Sequence, residues 1–83
     1  MKSAYKELCK IGRNRKDDHN PEFAVGMVTC VFTESGINLS YMGCDTIAHN
    51  DFDIEYWLRN YTDICWDEFM DDIMQTAIMG GVR

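Results

Sequence analysis

Residues 50–79 constrain the fold more than any other part of the chain, because they combine the largest apolar side chains with most of the acids. From residue 66 onward, apolar residues recur every three or four positions, which predicts a helix with one broad buried face. We expect Thr62 or Asp63 to cap this helix and Gly80 and Gly81 to end it. Its predicted buried face consists of Trp66, Phe69, Met70, Ile73, Met74, Ala77 and Ile78.

The opposite side of this predicted helix is acidic. Carboxylates four positions apart follow one another with a rise of about 6 Å along the helix axis. Three like-charge pairs at this spacing cost roughly 0.2–0.5 kcal/mol each, whereas each large apolar residue that is buried contributes about 1.5–3 kcal/mol. The helix is therefore expected to tolerate its acidic side without gaining stability from it. That side comprises Asp63, Asp67, Glu68, Asp71, Asp72 and Gln75.

Residues 50–60 carry two conflicting patterns. Asn50 or Asp51 can cap a helix with acids in its first turn, and Glu55 and Arg59 are spaced for an ion pair on a helix. Against this, the apolar residues alternate with polar ones as in a strand. We predict a helix, because several of the apolar residues also fit a period of 3.6. The alternating residues are Phe52, Ile54, Tyr56 and Leu58.

A β-hairpin is predicted upstream. Residues 23–33 are rich in β-branched and aromatic residues, Ser35 and Gly36 form a turn signal, and residues 37–42 alternate apolar with polar. The predicted register places Glu34 opposite Ile37, so Phe32 faces Leu39 and Cys30 faces Tyr41. One side of the hairpin is expected to pack against the helices. It carries Val28, Cys30, Phe32, Leu39 and Tyr41.

The N-terminal residues predict a further short helix. Ser3 can cap it, Ala4, Leu8 and Ile11 form its apolar stripe, and Gly12 stands where a left-handed C-cap would end it. Residues 13–21 are then expected to form a loop. We therefore predict an α+β fold of residues 1–83 as a single two-layer domain, with the order α-β-β-α-α and the hairpin packed against the helices.

Charge is divided unevenly along the chain. Residues 1–16 hold six cations and one acid, a net charge of +5, whereas residues 17–83 hold thirteen acids and two cations, a net charge of −11. An acidic surface argues against nucleic acid or an anionic membrane as the main partner and favours a basic protein. The basic run at residues 13–16 is interpreted as a solvated helix end. Without a long apolar run, the chain is expected to be soluble and cytoplasmic, with reduced cysteines.

No pattern predicts a metal, a cofactor or a catalytic residue. The acids from Asp51 to Glu55 have the opening spacing of a calcium loop, but Tyr56 and Thr62 stand where that loop needs glycine and glutamate. The candidate zinc ligands match no common zinc module, and no group is placed to activate a cysteine. These candidate ligands are His19, Cys30, Cys44 and His49.

The excess of acids predicts a function in protein binding. Across residues 51–79, eight acids are accompanied by Arg59 as the only cation. We expect a non-enzymatic protein whose acidic surface occupies a basic groove of a partner, of the kind that holds DNA or RNA. In size and charge, with no matched motif, the chain resembles the small acidic proteins with which phages and mobile elements inhibit host nucleases or defence complexes. The predicted partner-binding residues are Asp51, Asp53, Glu55, Asp63, Asp67, Glu68, Asp71 and Asp72.

Three other roles are considered. The acidic surface can serve solubility alone. An assembly module can use an adaptable apolar patch formed by Met70, Met74, Ile78, Met79 and Trp57. A small enzyme or metal protein can use Cys44 and His49 together with nearby acids.

Overall fold

The computed structural model describes residues 3–15 and 21–80, apart from the side chains of residues 79 and 80. Within these residues the chain forms three helices and one four-stranded antiparallel sheet in the order β1-β2-β3-β4, which confirms the α+β class. The β2–β3 hairpin packs against helices, as predicted. The elements are α1 Ala4–Arg15, β1 Phe23–Val25, β2 Val28–Thr33, β3 Gly36–Tyr41, β4 Cys44–Ala48, α2 Asp51–Tyr61 and α3 Trp66–Gly80.

Strands β1 and β4 extend the predicted order α-β-β-α-α to α-β-β-β-β-α-α. The predicted strand of residues 23–33 is folded back on itself at Gly26, which has a φ of 60°, so that Val25 pairs with Val28. Residues 43–49, between the predicted hairpin and the predicted helix, carry no predicted element but largely form strand β4, because Met42 and Gly43 form a two-residue turn with φ values of 48° and 86°. Positive φ at both positions is typical of a type I′ turn, whose twist suits an antiparallel pair.

The register of the β2–β3 hairpin differs from the predicted one by two residues. Cys30 lies opposite Leu39, and the loop consists of Glu34 and Ser35. Thr33 explains the difference, because its Oγ1 accepts hydrogen bonds from the backbone N–H of Ser35 at 3.2 Å and of Gly36 at 3.1 Å. A shift of two residues leaves every side chain on its predicted side.

The helices cover one side of the sheet, and the core lies between the helices and that side of the sheet. Helix α3 packs beside β1, α1 lies over β2 and β3, and α2 lies beside β4. The opposite side of the sheet is more open, with Asn38, Asp45 and Ile47 exposed. The fully buried side chains of the core include Leu8, Val25, Val28, Cys30, Ile37, Leu39, Ile54, Phe69 and Ile73.

Helix α1 is longer than predicted. Ser3 caps it as expected, since its Oγ accepts a hydrogen bond from the backbone N–H of Lys6 at 3.2 Å. Gly12 does not end the helix, which continues to Arg15; a Cβ at Gly12 would overlap the Cβ of Phe32, so close packing explains this glycine. The guanidinium of Arg13 lies 5.7 Å from the centre of the Phe32 ring. The rest of the predicted loop, residues 16–20, lies outside the described residues.

Residues 51–61 form a helix, as predicted. The Asn50 side chain caps α2 by accepting a hydrogen bond from the backbone N–H of Asp53 at 2.9 Å. Thr62 does not cap the last helix but closes α2, where its backbone N–H and its hydroxyl both donate to the carbonyl of Leu58. Asp63, the other predicted cap, does not cap α3 either, because the helix begins only at Trp66. The helix is predicted to end at Gly80 and Gly81. Gly80 is the last residue of α3, and Gly81 lies outside the described residues.

The buried face of α3 is narrower than the sequence pattern predicts. Phe69 and Ile73 are fully buried, whereas Trp66, Met70 and Met74 are half-buried. Ala77 and Ile78, which the pattern also places on this face, are exposed. In the described part of the chain, no helix is long and apolar enough to cross a membrane.

Candidate functional site

Three of the eight predicted partner-binding acids lie together on the solvent side of α3. We call Asp67, Glu68 and Asp71 the acidic face; all three are exposed, and none forms a hydrogen bond or ion pair with another described residue. Residues 66–80 contain no lysine, arginine or histidine. Asp67 and Glu68 stand in the first turn, where the helix dipole favours negative charge, but Asp71 has no such support.

Asp72 follows the acidic face in sequence but lies against the sheet. It is half-buried beside the β1–β2 turn, so close to Gly26 that a Cβ there would overlap the carboxylate. The next turn of α3 also contacts β1, because the Thr76 hydroxyl lies 3.4 Å from the carbonyl of Ala24. The same hydroxyl lies 2.9 Å from the carbonyl of Asp72 within the helix. Asp72 therefore belongs to the contact between α3 and the sheet.

The two acids at the start of α2 bind backbone amides. Asp51 accepts a hydrogen bond from the backbone N–H of Tyr5 at 2.8 Å, which satisfies a free donor in the first turn of α1. Asp53 accepts from the backbone N–H of His49 at 2.9 Å, and the His49 ring lies 3.5 Å from the same carboxylate. Both acids are half-buried. They join α1 to α2 and fix the entry into α2, so their charge is partly used inside the molecule.

Glu55 is also engaged, although it is exposed. Its carboxylate lies 3.3 Å from the guanidinium of Arg59, one helical turn further along α2. A solvated pair of this kind contributes about 0.3–0.5 kcal/mol. The pair partly neutralises the charge on this side of α2.

Asp63 connects the acidic face with the β3–β4 turn. The Tyr41 hydroxyl donates a hydrogen bond to its carboxylate at 2.9 Å. That hydrogen bond is the main cause of a raised pKa of Tyr41, to which partial burial and the charges of Asp63 and Glu68 add. The charges of both Asp63 and Glu68 therefore act on the Tyr41 hydroxyl, which places these two acids on the same side of the molecule.

A second surface, which the sequence analysis did not predict, lies between β4 and α2. It is an open groove of about 720 Å³. We call it the aromatic groove and define it by Ile47, Phe52, Tyr56 and Tyr61, whose side chains are 48%, 72%, 56% and 55% exposed. The Phe52 and Tyr56 rings are stacked, with centres 6.4 Å apart. The remaining lining residues are Cys44, Asp45, Thr46, His49, Asp53 and Trp57.

Trp57 is the buried member of the groove lining. Its side chain is only 2% exposed, and its indole N–H is buried without an acceptor among the described residues. A buried donor without an acceptor costs about 1–3 kcal/mol. The groove therefore has an exposed aromatic rim, and one of its lining residues, Trp57, keeps a buried donor without an acceptor in the described chain.

The outer edge of β4 borders the same groove. Because a two-residue turn joins β3 to β4, Tyr41 and Cys44 form the closing bonded pair, and the backbone groups of Asp45 and Ile47 point away from β3. In the described ranges β4 pairs only with β3, and no backbone hydrogen bond from another element reaches that edge. The opposite edge of the sheet differs, since the Thr76 hydroxyl of α3 contacts the Ala24 carbonyl of β1.

A signal for the groove was present in the sequence. The apolar alternation of residues 52–58 is typical of a strand, but in the helix it places Ile54 and Leu58 in the core and Phe52 and Tyr56 in solvent. A helix with apolar residues on two sides has a second surface to cover.

The structure does not bring the candidate metal ligands together. Cys44 and His49 line the aromatic groove, whereas Cys30 is buried in the core, where burial raises the pKa of its thiol to about 12. His19 lies outside the described residues. Among residues 3–15 and 21–80, no three side chains of histidine, cysteine, aspartate or glutamate form a metal-binding group.

The predicted apolar patch is not a continuous surface. Met70 and Met74 are half-buried against the core, and Trp57 is almost fully buried. Ile78 is 75% exposed, and the side chain of Met79 lies outside the described residues. The exposed apolar residues instead concentrate at the aromatic groove.

Comparisons with models of protein families, with curated proteins and with solved structures find no match to this chain.

Proposed function

We propose that this protein is a non-enzymatic binding protein whose acidic face occupies a basic groove of a partner, in the place of a nucleic acid. The observation that carries the proposal is the state of Asp67, Glu68 and Asp71. They are exposed and unpaired within the described part of the chain, on a helix that has no cation of its own. Asp63 and its contact with Tyr41 extend the same negative region.

The physical basis is charge complementarity. Asp67 and Asp71 are one helical turn apart and present carboxylates on one side of a rigid helix, which Phe69 and Ile73 hold against the core. Arginine and lysine side chains that bind phosphates also bind carboxylates, with hydrogen bonds strengthened by charge. The proposed surface is smaller than the eight acids of the sequence prediction, because Asp51, Asp53 and Asp72 have structural contacts and Glu55 is paired with Arg59.

A solubilising surface is the competing explanation of the same acids. A surface that mixes both signs keeps a protein soluble without like-charge repulsion. Asp67 and Asp71 repel each other by roughly 0.2–0.5 kcal/mol in the free protein. Binding to a basic groove would relieve this repulsion, whereas solubility alone does not require the pair.

The test compares two variants of equal charge. Asp67→Lys/Asp71→Lys changes the acidic face, and Glu34→Lys/Glu55→Lys makes the same change in net charge elsewhere, since each replacement adds two positive charges. Wild-type protein and both variants are immobilised, exposed at low salt to a lysate of a bacterial host, and the retained proteins are identified. We expect a nucleic-acid-binding protein on the wild type and on the Glu34/Glu55 variant but not on the Asp67/Asp71 variant.

The retained protein is then challenged with duplex DNA and with RNA. A nucleic-acid mimic competes for the same groove, so one of these polymers should displace the partner. Equal retention on all three forms of the protein would contradict the proposal, as would a partner that nucleic acid does not displace.

A further inference from the structure

We propose that the aromatic groove binds an extended, basic segment of a partner protein, which adds to the sheet as a fifth strand beside β4. This surface is separate from the acidic face of α3. The inference therefore does not depend on the proposed nucleic-acid mimicry, and each can fail without the other.

The backbone of β4 supplies the first argument. The N–H and C=O groups of Asp45 and Ile47 point away from β3, and no described element pairs with them. An added strand hydrogen bonds to such an edge through its main chain, whatever its sequence. The edge at β1 is less suitable, because the Thr76 hydroxyl of α3 lies at the Ala24 carbonyl.

The side chains of the groove supply the second argument. A strand beside β4 places alternate side chains toward the stacked rings of Phe52 and Tyr56, which are largely exposed in the free protein. Trp57 lines the same groove and has a buried indole N–H without an acceptor in the described chain. Because this nitrogen is buried, the apolar contact with the exposed rings is the main attraction that the groove offers to a bound segment.

The charge of the groove defines the occupant. Asp45 and Asp53 line it, and no lysine or arginine does. Asp53 is partly engaged by His49, whereas Asp45 accepts a hydrogen bond from the uncharged Ser40 hydroxyl at 2.7 Å and keeps its negative charge. A segment that alternates lysine or arginine with apolar residues matches both the carboxylates and the rings. A second copy of this chain is a poor occupant, because β4 itself carries Asp45 and the chain has a net charge of −6.

The probe is a library of random nonapeptides displayed on phage and selected on the immobilised protein. We expect enriched peptides to alternate basic with apolar residues. An enriched peptide is then synthesised with a fluorescent label and again with N-methyl groups on the amides of every second residue, in each of the two possible registers. One N-methylated form should bind at least about tenfold more weakly, because it loses two or more main-chain hydrogen bonds.

Matched variants locate the binding site. Ile47→Ala in the groove and Ile78→Ala on α3 remove the same atoms from exposed isoleucines. We expect the peptide to bind the Ile47 variant and a Tyr56→Ala variant several-fold more weakly than the wild type and to bind the Ile78 variant unchanged. Amide hydrogen exchange should slow at Asp45 and Ile47 when the peptide binds, whereas the amide of Thr46, already paired with β3, should change less.

Three results would overturn the inference. These are the absence of any enriched peptide, enrichment of acidic or uncharged peptides, and binding that both N-methylated forms retain, which would indicate a helical ligand. Sedimentation of the free protein tests the alternative occupant, since a dimer that Ile47→Ala disrupts would assign the groove to a second copy. The Asp67→Lys/Asp71→Lys variant should bind the peptide like the wild type, so this outcome is separable from that of the proposed function.

Discussion

Helix α3 confines its buried residues to one side, whereas α2 presents apolar residues on two sides. The two edge strands of the sheet differ as well. Helix α3 contacts the edge of β1 through Thr76, whereas the edge of β4, beside α2, has no partner among the described residues. The free surface of α3 is therefore distinguished by charge, and that of α2 by exposed aromatic rings. In both helices, the residues that stabilise the fold lie on one side, and the residues that are free to bind a partner lie on another.

The largest expected effect comes from one phenylalanine in each helix. Phe69 of α3 is 0% exposed and Phe52 of α2 is 72% exposed. Phe69→Ala should lower the free energy of unfolding by about 3–5 kcal/mol, and Phe52→Ala by no more than about 0.5 kcal/mol. Urea denaturation followed by tryptophan fluorescence measures both. Similar losses in the two variants would mean that α2 has no free apolar side.

Trp66→Ala and Phe32→Ala sharpen the same test. The sequence pattern places both aromatic residues in the core, but both are half-buried. Their losses should lie between those of the Phe69 and Phe52 variants, since the free energy lost follows the apolar area removed from water.

The next effect is the pH dependence of stability caused by Cys30, which lies on the side of the sheet that the helices cover. Burial raises the pKa of Cys30 from 9.0 to about 12. The unfolded chain therefore loses this proton at a lower pH than the folded chain, so the contribution of Cys30 to stability is complete below pH 9 and is lost as the pH rises toward 12. Between about pH 9 and about pH 10.5 the free energy of unfolding should fall by roughly 2 kcal/mol.

A Cys30→Val variant is the control for this pH dependence. Valine is similar in size and does not titrate, so the other titrating groups affect both proteins equally. The difference between the two stability profiles should grow across this range. Parallel profiles would show that Cys30 is not shielded by the helices.

The smallest expected effect concerns the stability of the Asp67→Lys/Asp71→Lys variant. Replacing both acids by lysine leaves a like-charge pair at positions 67 and 71, but it turns the repulsion between Glu68 and Asp71, three positions apart, into an attraction of about 0.2–0.5 kcal/mol. The structure adds an opposing effect, because Asp67 lies in the first turn of α3, where the helix dipole favours an acid by about 0.3–1 kcal/mol. The net change should stay within about 0.5 kcal/mol, measured by urea denaturation. A larger loss would show that these acids have a structural role.

Patterns that depend on local spacing were predictable. The helical period of Phe69 and Ile73, the cap at Ser3 and the buried side of the hairpin all follow from neighbouring residues, and the structure confirms them. The strands β1 and β4 were missed because their turns contain methionine beside glycine, and Met42 adopts a positive φ that few residues other than glycine take.

The roles of the acids could not be predicted from spacing. Asp51 binds the backbone of Tyr5, which is 46 residues away, and Asp72 lies against Gly26. Contacts of this kind depend on how the elements pack, which the spacing within one helix does not show. The aromatic groove also depends on packing, since β4 and α2 form it together.

The affinity of the purified partner as a function of salt tests the central claim most directly. The dissociation constant is measured at low and at high ionic strength for the wild type, Asp67→Lys/Asp71→Lys and Glu34→Lys/Glu55→Lys. If the acidic face binds a basic groove, wild-type binding weakens steeply with salt. The Asp67/Asp71 variant should then bind more weakly at low salt and with less salt dependence, whereas the Glu34/Glu55 variant should follow the wild type. Unchanged affinity of the Asp67/Asp71 variant at low salt would contradict the account.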